Sequence, residues 1–217
     1  MNWTERLHEG YVFGRRVKRL SGHLAELIPQ NATVLDVGCG DGRLAAQISK
    51  SRPDLAMKGL DVLIRPQSQI PVKAFDGCVI PEPDKSIDVV MLVDVLHHAQ
   101  DPEALLREAC RVARRALVIK DHLRDGFLAT ETLRFMDRVG NARHGVSLPY
   151  NYWPRSQWLH IFKTLGLHIA DWRDRLGLYP WPASWVFERS LHFAARLDLP
   201  IPDPIPDQVR KTCLGTG

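Results

Sequence analysis

One stretch constrains this chain more than any other. Val34-Leu35-Asp36-Val37-Gly38-Cys39-Gly40-Asp41-Gly42-Arg43-Leu44 reads as a short apolar strand, a glycine-dense turn and the start of a helix. A turn of this kind sits at the carboxyl edge of a sheet, where open α/β sheets bind their ligands. Glycine lets such a turn bend tightly and brings backbone close to whatever is bound.

The residues around it continue the alternation of strand and helix. Residues 4–28 have helical spacing of Val12, Val17, Leu20, Leu24, Leu27 and Ile28, with Gly10, Gly14 and Gly22 expected to break the helix into pieces and Pro29 to end it. Strands are expected at 33–37, 56–60, 72–75, 87–93 and 116–119, and a helix from Asp41 to Ser51. Asp101-Pro102-Glu103 is an N-cap with proline at the first helical position and opens a helix to about Ala113. Strands alternating with helices predict a mainly parallel sheet covered on both faces.

After residue 122 the rhythm changes. No strand is expected over 123–153, where Phe127, Leu128, Leu133, Phe135, Met136 and Val139 suggest a helix followed by a polar, aromatic loop. Pro154 to Leu165 reads as a helix that Gly166 terminates, 167–172 and 190–197 as the last strands, and the last twenty residues as irregular. Trp172, Trp181, Trp185 and Phe187 are expected to cover the sheet edge and pack.

The glycine turn has the spacing G-x-G-x-G, with Arg43 where a dinucleotide turn would place its third glycine. Asp36 stands two residues before it, where a carboxylate repels a pyrophosphate and suits a cationic ligand. No G-K-[ST] follows, which excludes a P-loop.

Asp36-x-Gly38-x-Gly40-x-Gly42 resembles motif I of the class I S-adenosylmethionine-dependent methyltransferases. The resemblance extends over about residues 33–122, through Gly59-Leu60-Asp61-Val62, Phe75-Asp76-Gly77, Ser86 to His98 and Asp101 to Ala109, and is closest to the small-molecule branch. It implies a Rossmann-like α/β fold, a seven-stranded sheet in the order 3-2-1-4-5-7-6 with a helical cap insertion, and S-adenosyl-L-methionine as cofactor. It places Asp61 on the ribose hydroxyls and Asp76 on the adenine amine, and Asp36, Gly38, Cys39, Gly40, Val62, Gly77, Val93 and His98 around the same cofactor. Tyr11, Arg15 and Arg16 of an N-terminal lid are expected to meet the methionine carboxylate. The chain departs from the family before the fifth strand, where Val112-Ala113-Arg114-Arg115-Ala116 replaces a glycine-containing connection.

One methyltransferase domain is expected over residues 1–217. It divides into a lid (1–30), a cofactor half (31–122), a cap insertion (123–153) and a C-terminal part (154–217). The predicted activity is methylation of a small organic acceptor on oxygen, carbon or nitrogen. A nicotinamide-dependent oxidoreductase, disfavoured by Arg43, and a non-catalytic S-adenosylmethionine-binding partner subunit are the alternatives.

The acceptor side is expected at the ends of the fourth and fifth strands, where Asp94, His97, His98, Lys120, Asp121 and His122 gather. His122, Asp94 and His144 are the candidate catalytic residues, since an imidazole titrates near neutrality and can take the acceptor's proton. Asp94, Asp121 and His122 also stand where catechol-type O-methyltransferases hold a cation, but the oxygen-ligand set is incomplete and no metal is expected. Aromatic residues of the cap and Arg143 suit an aromatic or anionic acceptor.

Charge and cysteines exclude other classes. The 29 basic and 25 acidic residues give +4, spread along the chain without the dense patch of a nucleic-acid binder. The four cysteines form no C-x-x-C pair, so neither zinc nor redox chemistry is signalled by them. No apolar run reaches the roughly 20 residues of a membrane span, and no signal peptide opens the chain, so a cytoplasmic protein is expected.

Overall fold

A computed structural model describes residues 3–141 and 149–200, with side chains from residue 14 to 139 and from 149 to 200. Seven strands form one sheet: β1 (Thr33–Val37), β2 (Ala56–Asp61), β3 (Val72–Ala74), β4 (Ile87–Val93), β5 (Ala113–His122), β6 (His168–Arg173) and β7 (His192–Asp198). Their order is β3-β2-β1-β4-β5-β7-β6, as the resemblance implied. The first five are parallel, and β7 runs antiparallel between β5 and β6.

The alternation of side chains along the central strands builds two cores. Leu35, Val37, Val90, Leu92, Leu117 and Ile119 face one layer, and Val34, Val89, Met91, Ala116 and Val118 the other. Helix α3 (Pro102–Val112) covers the first with Leu105, Leu106, Ala109 and Val112, together with α5 (Arg155–Thr164). The Asp101 side chain caps α3 by accepting from the Ala104 amide at 2.9 Å. Helix α1 (Trp3–Leu27) and α2 (Arg43–Ser51) cover the second layer. Because β4 is sandwiched between both layers, it is buried from Ile87 to Leu92.

Several expectations need correction. Helix α1 is continuous through Gly10, Gly14 and Gly22. The apolar stripe of Leu20, Leu24 and Leu27 packs on the sheet, and burial of that face outweighs the cost of about 1 kcal/mol per glycine. Strand β5 begins at Ala113 and runs to His122, so Lys120, Asp121 and His122 are strand residues paired with β7, not loop residues. The last strand begins at His192 rather than Ser190. Trp172 does pack, stacked on Phe193 with ring centroids 4.4 Å apart, but Trp181 and Trp185 are exposed by 85% and 81%. Trp181 precedes and Trp185 belongs to the one-turn helix α6 (Ser184–Phe187), too short to bury a face of its own. The expected cap helix is present as α4 (Ala129–Asn141). The loop with Arg143 and His144, the side chain of Tyr11 and the last residues lie outside the described residues. Among the described residues no helix is long and apolar enough to cross a membrane.

Candidate active site

The carboxyl ends of β1, β2, β3 and β4 meet along one edge of the sheet, and the predicted cofactor residues from Asp36 to His98 lie at or after these strand ends. The β1–α2 turn is held by β2. The Gly38 and Cys39 amides both donate to the Leu60 carbonyl, at 2.7 and 3.1 Å. The Asp61 carboxylate then clasps the turn, accepting from the Gly40 amide at 2.7 Å and from the Leu63 amide at 2.9 Å. Each of its oxygens keeps a further lone pair for a diol, so the residue can anchor the turn and bind ribose together. Val62, next to it, is exposed.

Gly38 and Gly40 are glycines for different reasons. Both have positive φ. A Cβ on Gly38 would stand 2.4 Å from Val95 Cγ2, so the protein itself fills the space. A Cβ on Gly40 would meet nothing nearer than the Arg65 guanidinium, 3.7 Å away at the end of a flexible side chain. The Arg65 Nε is buried without a hydrogen bond. The cradle over Gly40 is therefore open to a ligand once Arg65 swings aside, which fits the adenosyl group that the resemblance implies.

Asp76 is exposed, and its Oδ1 accepts from the Cys78 and Val79 amides at 2.8 Å, which lowers its pKa. Its Oδ2 has no such hold and suits an exocyclic amine. Gly77 follows with φ of 84°. Asp36 is buried, and burial followed by the neighbouring Asp61 pushes its carboxyl up to about 8. A cationic ligand would relieve that cost. Burial also pushes the Cys39 thiol up to about 12, which leaves it inert as a nucleophile.

Beyond Val93 the chain changes character. Asp94 adopts φ of 56°, a backbone that non-glycine residues adopt rarely, and its amide donates to the Lys120 carbonyl at 2.8 Å. The turn Leu96–His98 follows. From these two strand ends, α4 and the segment after it comes a buried polar cluster. Lys120, fully buried, donates to Asp94 Oδ1, and Arg16 Nη2 donates to Asp94 Oδ2 at 2.7 Å. Burial works against the Asp94 carboxylate, but Lys120 and Arg16 outweigh it and hold it well below the usual range. His97 Nδ1 donates to Asp121 Oδ1 at 2.6 Å, and its Nε2 faces Asp137 Oδ2 at 3.5 Å. Burial opposes the charged imidazole, yet Asp121 and Asp137 push it up to about 10. The Tyr152 hydroxyl donates to Asp137 Oδ2.

His122 stands at the centre of this cluster. Its Nε2 lies 3.6 Å from Asp94 Oδ1 and 3.9 Å from Asp137 Oδ1, and its Nδ1 is buried without a hydrogen bond. Burial, Lys120 and His97 hold its pKa well below the ordinary value, so it is neutral at neutral pH. His192 donates from Nε2 to the Phe187 carbonyl at 3.0 Å, which leaves Nδ1 to face Lys120 Nζ at 3.4 Å.

The structure thus brings Asp94 and His122 together and adds groups that sequence reading passed over. Asp137 carries the one signal that could have found it, an acidic residue four positions after Leu133 on the buried face of α4. His192 and Arg65 carry none. Arg16, expected at the methionine carboxylate, pairs with Asp94 at 2.7 Å.

Residues 5–171 match the family model of the methyltransferase domain. Two characterised enzymes are similar in sequence. The 27-O-demethylrifamycin SV methyltransferase of Amycolatopsis mediterranei is 29% identical over 133 residues, which cover 52% of this chain and 48% of that protein. The chain therefore spans about half the length of this relative. The ajmaline N-methyltransferase of Rauvolfia serpentina is 25% identical over 206 residues, 77% of this chain and 70% of that protein. Among solved structures, a SAM-dependent methyltransferase from Aquifex aeolicus superposes with a TM-score of 0.57 at 19% identity, over 82% of this chain and 88% of that one.

Proposed function

The chain belongs to this methyltransferase-domain family, and from that premise we propose that it transfers the methyl group of S-adenosylmethionine to a small organic acceptor. The observation that carries the reading is the juxtaposition of two unlike sites at one sheet edge. A backbone turn clasped by Asp61 lies beside a buried cluster that holds the neutral imidazole of His122. Both relatives named above are methyltransferases of small molecules, one on oxygen and one on nitrogen by their names.

The bound cofactor supplies an electrophilic methyl on a sulfonium. Asp61, Asp76 and the cradle over Gly40 fix the adenosyl group. Burial of Asp36 beside the turn favours a ligand with positive charge. In-line attack needs alignment of the acceptor and removal of its proton. His122 takes that proton, since it is neutral and its Nδ1 has no other hydrogen-bond partner. Asp94 is too acidic to act as base at neutral pH, and it holds Lys120 and Arg16 in place. The aromatic residues Tyr150, Tyr152 and Trp153 of the cap suit an aromatic acceptor, and Arg134, 5.6 Å over the Tyr150 ring, adds charge for an anionic one.

The test is turnover. The purified protein is given methyl-labelled S-adenosylmethionine and a panel of phenols, aromatic acids and amines. The expected result is label transfer with release of S-adenosylhomocysteine, reduced by roughly 100-fold or more in His122→Gln. Tight S-adenosylhomocysteine binding with no transfer to any acceptor would favour the partner-subunit reading instead. Binding of NAD in its place would overturn the cofactor assignment.

A further inference from the structure

Two overlapping groups of histidine and carboxylate lie close enough to share an ion: Asp94, His97, Asp121 and His122, and His97, His98 and Asp137. The first is already filled. Lys120 and Arg16 take both oxygens of Asp94, and Asp121 Oδ1 accepts from His97 Nδ1 and from the His122 amide. The second group differs. His97 Nε2 is buried without a hydrogen bond, and so is His98 Nδ1. The His97 side chain is only 1% exposed. His97 Nε2 has only a long contact to Asp137 Oδ2, at 3.5 Å. A buried ring nitrogen without a well-formed hydrogen bond is costly.

We propose that His97 Nε2, His98 Nδ1 and Asp137 form a site for a divalent transition-metal ion of the zinc class.

The spacing fits. Two ligand atoms each about 2.1 Å from a shared ion at a tetrahedral angle stand about 3.4 Å apart, and His97 Nε2 lies 3.5 Å from Asp137 Oδ2. One ligand atom from each of His97, His98 and Asp137 lies within 4.8 Å of the other two. His98 is half-buried, with its ring centroid 3.9 Å from that of His97. Two imidazole nitrogens and one carboxylate oxygen make the donor set of an open site with a position left for water or substrate.

The surroundings fit as well. Asp121 holds His97 by Nδ1, which presents Nε2 to an ion, the usual carboxylate–histidine–metal arrangement. Tyr152 holds Asp137 in turn. Asp121 and Asp137 flank His97 on its two ring nitrogens, so an ion at Nε2 stands among carboxylates. A dication carrying one hydroxide or one deprotonated acceptor oxygen replaces the proton of a charged His97 with no change of net charge. The site is also in the right place. The His98 amide donates to the Val95 carbonyl at 2.9 Å, and the Val95 side chain lies against the glycine turn. An ion here would lower the pKa of a bound hydroxyl beside the cofactor, so the acceptor would be an oxygen donor such as a phenol or alcohol. That last step rests on the proposed methyl transfer; the metal site itself does not.

The probe is Zn2+ titrated calorimetrically into tag-free, chelator-treated protein, with Co2+ absorption as a second readout. One equivalent is expected to bind, with a Co2+ spectrum of low coordination number. His98→Ala, a change at a half-buried position, and Asp137→Asn should each weaken binding by roughly 100-fold, and Asp121→Asn by about 10- to 100-fold. S-adenosylhomocysteine affinity is measured on Asp121→Asn and Asp137→Asn, neither of which touches the cofactor cradle, and should stay at the wild-type value. No Zn2+ uptake by the wild-type protein, or equal uptake by His98→Ala and Asp137→Asn, overturns the site; a proton on His97 then joins the two carboxylates. Loss of S-adenosylhomocysteine binding by the wild-type protein would count against the proposed function and leave the metal result standing.

Discussion

The proposed cofactor side of the crevice is made of backbone, and the proposed acceptor side is made of side chains. At the glycine turn the hydrogen bonds are amides to carbonyls and amides to the Asp61 carboxylate. A few angströms on, past Val95, the contacts join Lys120 to Asp94, His97 to Asp121 and Tyr152 to Asp137. A backbone cradle recognises one fixed ligand through shape, and the charge buried beside it is that of two carboxylates, Asp36 and Asp61. A cluster of buried ions costs desolvation, and its members hold only because each has a partner. The first arrangement suits a cofactor common to a family, and the second suits a substrate that differs between its members.

Breaking one partnership on the acceptor side should have the largest effect on stability. Lys120→Met leaves Asp94 with Arg16 alone in a buried site, and a loss of about 3–5 kcal/mol is expected in denaturant unfolding. A loss below 1 kcal/mol would mean that the cluster is well hydrated. On the cofactor side the contrast is between two glycines. Gly38→Ala drives a Cβ into Val95 and forces a strained backbone, for roughly 3 kcal/mol or more. Gly40→Ala meets only Arg65 and should cost about 1 kcal/mol of stability, while S-adenosylhomocysteine affinity falls because the new methyl enters the cradle. Equal thermal shifts for the two would show that the space over Gly40 is not a ligand site.

The glycine turn and its clasp were legible because their elements are local. Asp36, Gly38, Gly40 and Asp61 sit in one strand–turn–helix unit and the strand beside it, and each type of residue is required by the turn. The order of the sheet followed from the resemblance. The acceptor side depends on contacts between residues far apart. Asp137 meets His97 across 40 positions, and His192 meets Lys120 across 72. No periodicity encodes such a meeting. Lys120 reads as a polar residue after a strand, and only the pairing of β5 with β7 shows that it is buried. The exposed Trp181 and Trp185 were misread for a related reason, since aromatic residues near prolines carry no sign of which way they face.

A smaller effect sharpens the electrostatic part of the comparison. The Asp36 carboxyl, pushed up to about 8 by burial and then by Asp61, is mostly protonated at pH 7. A sulfonium ligand is favoured by its ionised form. Affinity for S-adenosylmethionine should therefore rise as pH increases from 7 to 9, by about tenfold at most. S-adenosylhomocysteine, which lacks the sulfonium charge, should show a weaker rise, and Asp36→Asn should flatten both curves. Affinity for S-adenosylmethionine that falls over this range would contradict the role given to Asp36.

The division of the crevice into a backbone cradle and a side-chain cluster is tested most directly by calorimetric titration of S-adenosylhomocysteine into three proteins: wild type, Asp61→Ala and Asp137→Asn. Binding to the wild type with one site is expected. Asp61→Ala should lower the affinity by about 10- to 100-fold, the cost of losing a charge-assisted anchor. Asp137→Asn should bind as the wild type does. The opposite pattern, with Asp137→Asn crippled and Asp61→Ala unaffected, would contradict the account.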